Sequence, residues 1–479
     1  MAAENFFRCI IYLALASVGG LSGCATDTSP PGAIPAAPSA YRNAPTRESL
    51  PRPSTDWWRE FSSAELDRLQ DTALANNRDL RAAIARIAQA QAQARLAQAA
   101  LFPSVETFGK RQSTAPLDGP GTVTSVKDWR STNLYQAGLR ANYEVDLWGR
   151  SGAAADSALA LAVASIHQRE TVALTLTSDL ASAYLEYLSL GDRIAIADRN
   201  LRNRREVLAA IDKRIAGGES AVGDAIQQRV ILATAESSSA ALVQRRERAF
   251  NRVALLTGAS PSELKLERHD LSGIAIPAIN PGLPSDLLCR RPDVRRVEAQ
   301  LASAQLDTRS LRANLLPSFS LLGEIGYGSR NLLALSNPAS LFYLAAGSFA
   351  HTVFDGNRKQ AQLEAAQARQ LELLEQYAGI LLTALREVED ALAGTRLTED
   401  QHAALVEAAD ASRTAFEINR RSYEIGAADL LALLDAEQKM YANEDAAESA
   451  RYERLRAAID LYKSLGGGTR STDTPACAG

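Results

Sequence analysis

The sequence predicts a mixed α+β membrane protein, internally duplicated, in which long helical hairpins carry short β-hairpins. Three observations predict it: a long internal repeat, a strand with one apolar and one charged face, and a leader that ends at a cysteine.

The repeat decides the architecture, because a duplication changes how the 479 residues divide into domains. Residues 79–109 and 293–323 align without a gap at an offset of 214. Asp79, Arg81, Ala85, Gln91, Arg95, Leu101, Pro103, Ser104 and Gly109 recur as Asp293, Arg295, Ala299, Gln305, Arg309, Leu315, Pro317, Ser318 and Gly323. Each copy is a helical run that stops at Leu-x-Pro-Ser. Proline lacks an N–H and disfavours helix in the residue before it, so it is a natural stop. From Arg150 and Arg358 onward the offset is 208, so the first hairpin is longer by six residues while the helices keep register.

The strand signal follows the first copy. Tyr135, Ala137, Leu139, Ala141, Tyr143, Val145 and Leu147 alternate with Gln136, Arg140, Asn142, Glu144 and Asp146. Such a strand is half-buried in a soluble sheet, or stands in a membrane barrel with lipid outside and water inside. Tyr135 and Tyr143 are separated by roughly 26 Å along a strand, the spacing of an aromatic girdle. Ser104 to Ser113 is the partner strand, and the Pro/Gly-containing stretch from Thr114 to Arg130 is the loop between them. In the second copy Phe319, Leu321, Ile325 and Tyr327 alternate, and residues 341–353 alternate less cleanly.

Long helices flank the strands. Residues 150–215 contain no proline, and a helix of that length is about 100 Å long, too long for one compact domain. Leu201, Leu208, Ile211 and Ile215 keep coiled-coil spacing. Gly217, Gly218 and Gly223 turn the chain, and Gly426 does so in the second half. Leu381, Leu385, Val388 and Leu392, and then Tyr452, Leu455, Ile459 and Tyr462, form seams of the second hairpin.

The leader is a weak n-region at Arg8, then an apolar run from Cys9 to Val18, too short to cross a membrane as a helix. It ends in Leu21-Ser22-Gly23-Cys24, which resembles the bacterial lipobox, so Cys24 is the expected lipidation site. Ala25 follows the cysteine, which favours the outer membrane over the inner. Residues 26–53 are rich in Pro, Ser and Ala and read as an extended tether.

Composition excludes other classes. Net charge is −4, which gives no reason to expect a nucleic-acid partner. Cys9, Cys24, Cys289 and Cys477 form no C-x-x-C pair and no disulfide pattern, and the four histidines stand alone. No metal-ligand cluster, cofactor motif or catalytic constellation is visible, and Cys289, the one thiol of interest, reads as incidental. The boundaries drawn are a signal peptide 1–23, a lipidated tether 24–55, a first repeat 56–258 with its hairpin at 104–147 and tip near 217–223, and a linker 259–283. A second repeat 284–465 follows, with its hairpin at 318–353 and tip near 426–429, and then a loose tail 466–479.

Each half therefore offers one hairpin. Four strands cannot close a barrel, whose small limit is about eight, and open edges are not tolerated in lipid. Membrane strands would have to be shared between chains, and on this arithmetic two or three chains serve equally.

At these residues the chain resembles the outer membrane factor (TolC-like) family, and within it the NodT-type efflux lipoproteins. The resemblance is carried by the lipobox, Trp57-Trp58 with Phe61, Ala99 to Ser104, Asp146-Leu147-Trp148-Gly149-Arg150, Leu283 to Leu288 with Arg291-Pro292-Asp293-Val294, and Leu461-Tyr462 leading to Leu465-Gly466-Gly467-Gly468. It implies a homotrimer with one twelve-stranded barrel in the outer membrane and a helical tunnel through the periplasm, closed at its tip. It implies a passive exit duct for small toxic compounds, docked on a periplasmic adaptor and an inner-membrane pump. It also implies that Leu431 narrows the tip and that Asp435 forms an acidic ring there. Relatives often place an arginine three residues after that acid; here Gln438 and Lys439 stand instead. Alternative readings are a protein-secretion duct or a periplasmic adaptor or tether. An enzyme is not expected.

Overall fold

The computed structural model describes residues 38–43, 54–114, 132–218 and 221–468. Cys24 and the loop between the first two strands lie outside these residues.

The described chain starts with a short segment around the buried Tyr41, followed by a 3₁₀ turn, Trp57–Phe61. Helix α1 (Ala64–Asn76) and helix α2 (Arg78–Ala99) meet at Asn77, whose side chain caps α2 by accepting from the amides of Asp79 and Leu80. Strands β1 (Ser104–Thr114) and β2 (Thr132–Val145) form the first hairpin. Helix α3 (Arg150–Ala216) and helix α4 (Val222–Thr257) form the first helical hairpin. After an extended stretch come the short α5 (Asp286–Arg290) and then α6 (Pro292–Ala313), β3 (Ser318–Ser329), β4 (Leu341–Ala350), α7 (Arg358–Glu424) and α8 (Leu430–Ser464).

The duplication is visible in the lengths. The shorter helices α2 and α6 have 22 residues each, and the long helices α3 and α7 have 67 each. At 1.5 Å per residue a helix of that length runs about 100 Å. One part of α3 packs on α2 and α6 and another on α4; α7 packs likewise on α6 and α8. The long helices thus run the full length, and the shorter ones share that length between them.

Both strand-to-helix turns use a left-handed residue, Gly149 at φ 71° and Asn357 at φ 70°. Asparagine tolerates that conformation better than most side chains. The carboxylate that caps the new helix differs in place. Asp146 accepts from the Gly152 amide at 2.7 Å, whereas Asp355 accepts from Arg358 and Lys359 at 3.1 and 3.2 Å. These turns end the strands at Val145 and Ala350, earlier than the expected 147 and 353. The reason is local: Leu147 donates back to the Val145 carbonyl, and Asp146 and Asp355 cap helices.

The core gathers where the N-terminal turn, the middle of α3 and the end of α8 meet. Trp57 stacks on Tyr462 with ring centroids 5.0 Å apart, and Phe61, Leu66, Leu180, Tyr184 and Leu188 are fully enclosed around them. Burying such aromatic rings supplies much of the packing energy of a thin, helix-rich body. The extended stretch after α4 is pinned here. Buried Glu65 accepts from the amides of Glu267 and Arg268 and from the Tyr184 hydroxyl at 2.8 Å. Asp192 accepts from the Leu271 amide at 2.8 Å, and the Ala275 amide donates to the Phe61 carbonyl at 3.0 Å. Gly191 lets the chain pass closely: a Cβ there would stand 1.8 Å from the His269 carbonyl oxygen.

Two expectations need correction. Cys289 is not a lone thiol; it is disulfide-bonded. The loose tail does not begin at Gly466. Gly466, Gly467 and Gly468 all adopt positive φ, and a Cβ on Gly466 would stand 2.8 Å from the Arg290 carbonyl. Three glycines let the chain leave α8 in a packed turn that other residues would strain.

Candidate channel wall and periplasmic tip

The four strands form one antiparallel sheet in the order β1-β2-β3-β4. The central β2–β3 pair joins the two repeats, with Arg140 opposite Glu324 and Gly138 opposite Gly326. Both glycines are needed there. A Cβ on Gly138 would stand 2.3 Å from the Ile325 carbonyl oxygen, and one on Gly326 would stand 2.4 Å from that of Ala137. Within the sheet β1 and β4 are edges, each paired on one side only.

Successive side chains of a strand point to opposite faces, so the register sorts every position. One face carries Val105, Tyr135, Leu139, Tyr143, Leu321, Ile325, Tyr327, Tyr343 and Phe349. Tyr343 is 84% exposed and Phe349 62%, so this apolar face lies bare on the single chain. Tyr135 and Tyr327 stand toward its far end, while Tyr143 and the edge-to-face pair Phe319–Phe349 stand toward the helices. Expected girdle residues Tyr135 and Tyr143 therefore share the apolar face.

The other face carries Glu106, Lys110, Gln136, Arg140, Asn142, Glu144, Ser320 and Glu324. Arg140 spans three strands. Its Nε donates to Glu324 at 2.6 Å, its Nη1 lies 3.8 Å from Glu106, and its guanidinium sits 4.8 Å over the Phe108 ring. A sheet with one apolar and one ionic face suits a wall between lipid and water. Among the described residues no helix is long and apolar enough to cross a membrane.

The two helical hairpins turn at the opposite end. Of the four expected turn glycines, Gly218 and Gly426 adopt positive φ, 75° and 76°. Gly217 is right-handed at φ −83°, and Gly223 lies in the first turn of α4. Asp429 caps α8 by accepting from the Ala432 amide at 2.8 Å. Phe416, Tyr423, Leu433, Ala436 and Met440 form a small core that holds α7 to α8. Leu431 stays outside that core at 65% exposure. Asp435 lies one turn along the same face, also exposed, and its Oδ2 receives Lys439 Nζ at 2.7 Å. Leu431 and Asp435 therefore share a solvent-facing stripe, and the charge of Asp435 is partly answered by its own helix.

Between the hairpins runs a groove of about 580 Å³, lined by Val207, Lys213, Arg420, Tyr423 and Leu433. Close to it, Glu437 is buried in α8. Sequence reasoning missed it. Its spacing of four from Leu433 and three from Met440 places it on the buried stripe, and that spacing was the available signal.

A family model described as "Outer membrane efflux protein" matches residues 69–259 and 283–467, one stretch in each half. The chain belongs to the outer membrane efflux protein family. It is 35% identical to the pyoverdine export outer membrane protein OpmQ of Pseudomonas putida, over 98% of each chain. It is 31% identical to the outer membrane protein OprJ of Pseudomonas aeruginosa, over 91% of each. Among solved structures it resembles the outer-membrane channel OprN, with a TM-score of 0.83 and 30% identity, over 92% of this chain and 98% of that one. The fold is that of the TolC-like channels, and the efflux protein is an outer membrane component of an efflux system. It is located in the outer membrane and projects into the periplasm.

Proposed function

We propose that this efflux protein assembles as a homotrimer whose three sheets close into one twelve-stranded barrel, continued by a helical tunnel that ends at the two hairpin tips. One observation carries the reading. The sheet has a bare apolar face, which belongs against lipid, and two edges, which lipid does not tolerate unless neighbouring copies pair with them. Tyr135 and Tyr143 are then girdle residues at the two lipid boundaries, and Cys24 carries the lipid that anchors the chain. A periplasmic adaptor and an inner-membrane pump deliver cargo and energy, and the duct itself is passive. Its cargo is small molecules of the kind for which relatives such as OpmQ are named. The ionic wall around Arg140 offers water-filled passage rather than a built recognition site, so the choice of cargo belongs to the pump.

At the tip, Leu431 narrows the entrance and three copies of Asp435 form an acidic ring. Carboxylate rings favour cations in narrow pores. Single-channel recording from purified protein in a planar bilayer tests this reading. The expected result is discrete steps with cation preference, weakened in Asp435→Ala and strengthened in Lys439→Met, which frees the carboxylate. Steps indifferent to both substitutions would remove the gate assignment and leave the duct. Absence of steps from inserted oligomers would remove the duct.

A further inference from the structure

Glu437 lies in α8 on the side turned away from the exposed Asp435–Lys439 pair, at 1% exposure. Its Oε1 has no hydrogen-bond partner among the described residues. A buried carboxylate left unsatisfied is costly, whereas the protonated acid is far less so.

The surroundings are polar but thin. From α3, buried Arg204 is the charge that acts on Glu437, and its Nε is already donated to Asn200 at 3.0 Å. From α4, Gln228 is neutral and donates to the Arg204 carbonyl at 3.1 Å. From α7 come Phe416 and Tyr423, the latter covered by the Arg214 guanidinium at 5.0 Å. On α8 itself Tyr441 feels Arg204 as well, while Glu444 and Asp445 are held by Arg413 and Arg193 at 2.7 Å each. Among the described residues, Glu437 thus sits between the two hairpins of the tip, with Arg204 as the charge acting on it and no hydrogen bond for Oε1.

We infer that Glu437 is a proton switch for the tip: the protonated acid lets α8 stay packed against α3, and loss of the proton drives the second hairpin away from α3 toward water. The inference rests on the reading of the hairpin ends as the channel entrance. Burial pushes the carboxyl from 4.5 up to about 7 in the packed tip, and the Arg204 charge pulls it partly back. The sign follows from linkage. The packed tip binds the proton more tightly, so its advantage is full below the ordinary carboxylate value and is lost as pH rises toward 7. The tip therefore closes in acid and loosens near neutrality.

Single-channel open probability should rise roughly tenfold or more between about pH 5 and about pH 8 in the native protein. Glu437→Gln should abolish that rise and stay in the closed pattern at every pH. Arg204→Met should move the midpoint to higher pH, because the pull of the guanidinium is gone. A rise that persists in Glu437→Gln, or no rise in the native protein, would overturn the switch. Hydrogen exchange of peptides covering residues 430–441, corrected for intrinsic rates, gives a readout that needs no current. Protection should be greater in acid for the native protein and pH-independent for Glu437→Gln. Equal pH dependence in both would overturn the inference even if the channels were silent, whereas silent channels alone would count against the duct.

Discussion

Individual side chains set both the stability and the electrostatics of this channel subunit. Glu65 is buried and satisfies two backbone amides of the extended stretch and the Tyr184 hydroxyl. Glu65→Ala leaves those donors unpaired in the core, so a loss of about 3–5 kcal/mol is expected, measured by chemical denaturation followed in far-UV circular dichroism. An unchanged midpoint would show that water replaces the carboxylate without cost. At the tip, Asp435 and Lys439 should act in opposite directions on cation preference, because one ion pair links them. The resemblance pointed to Asp435 through the family motif around it. The pairing with Lys439 was hidden in plain spacing, since an acid four residues before a lysine on a helix is the favourable orientation. Glu437 was illegible for a different reason: a charged residue on a helix reads as solvated until a neighbouring hairpin is placed over it.

At the scale of elements, the structure depends on close approaches that only glycine permits. Gly191 lies in α3, where a Cβ would meet the His269 carbonyl. Gly191→Ala should push the extended stretch off the helix at a cost of about 1–3 kcal/mol, seen as faster proteolysis between residues 259 and 283. Gly138 faces Gly326 across the seam that joins the two repeats. Gly138→Val should separate β2 from β3 and lower the yield of membrane-inserted oligomer, while the helical signal in circular dichroism persists; wild-type yield would show that the strands can shift to make room. Helices and strands were well marked in the sequence because their periods, 3.6 and 2, are set by the side chains themselves. Their ends were less so. Leu147 continues the alternation in sequence but lies beyond the strand, because Asp146 turns aside to cap α3. Gly466 to Gly468 resembled a loose tail, yet the same freedom that suits glycine to a tail lets it pack in a turn against Arg290.

For the whole molecule, the duplication, the long helices and the two-faced strands are what the proposed shared assembly rests on. The repeat was readable because both copies break at the same Leu-x-Pro-Ser. The order β1-β2-β3-β4, with the repeats joined through β2 and β3, was not readable, since strand pairing depends on contacts far apart in sequence. The proposed lipid on Cys24 would add a second attachment: Cys24→Ser should yield a chain whose intact mass carries no diacylglyceryl or acyl groups, with the barrel still able to insert. The most direct measurement is native mass spectrometry of the detergent-extracted protein, which counts the chains that share one barrel. Three chains in a single complex that resists dissociation until the sheet unfolds is the expected result. A monodisperse single chain that keeps its sheet folded in detergent would contradict the shared barrel and, with it, the duct.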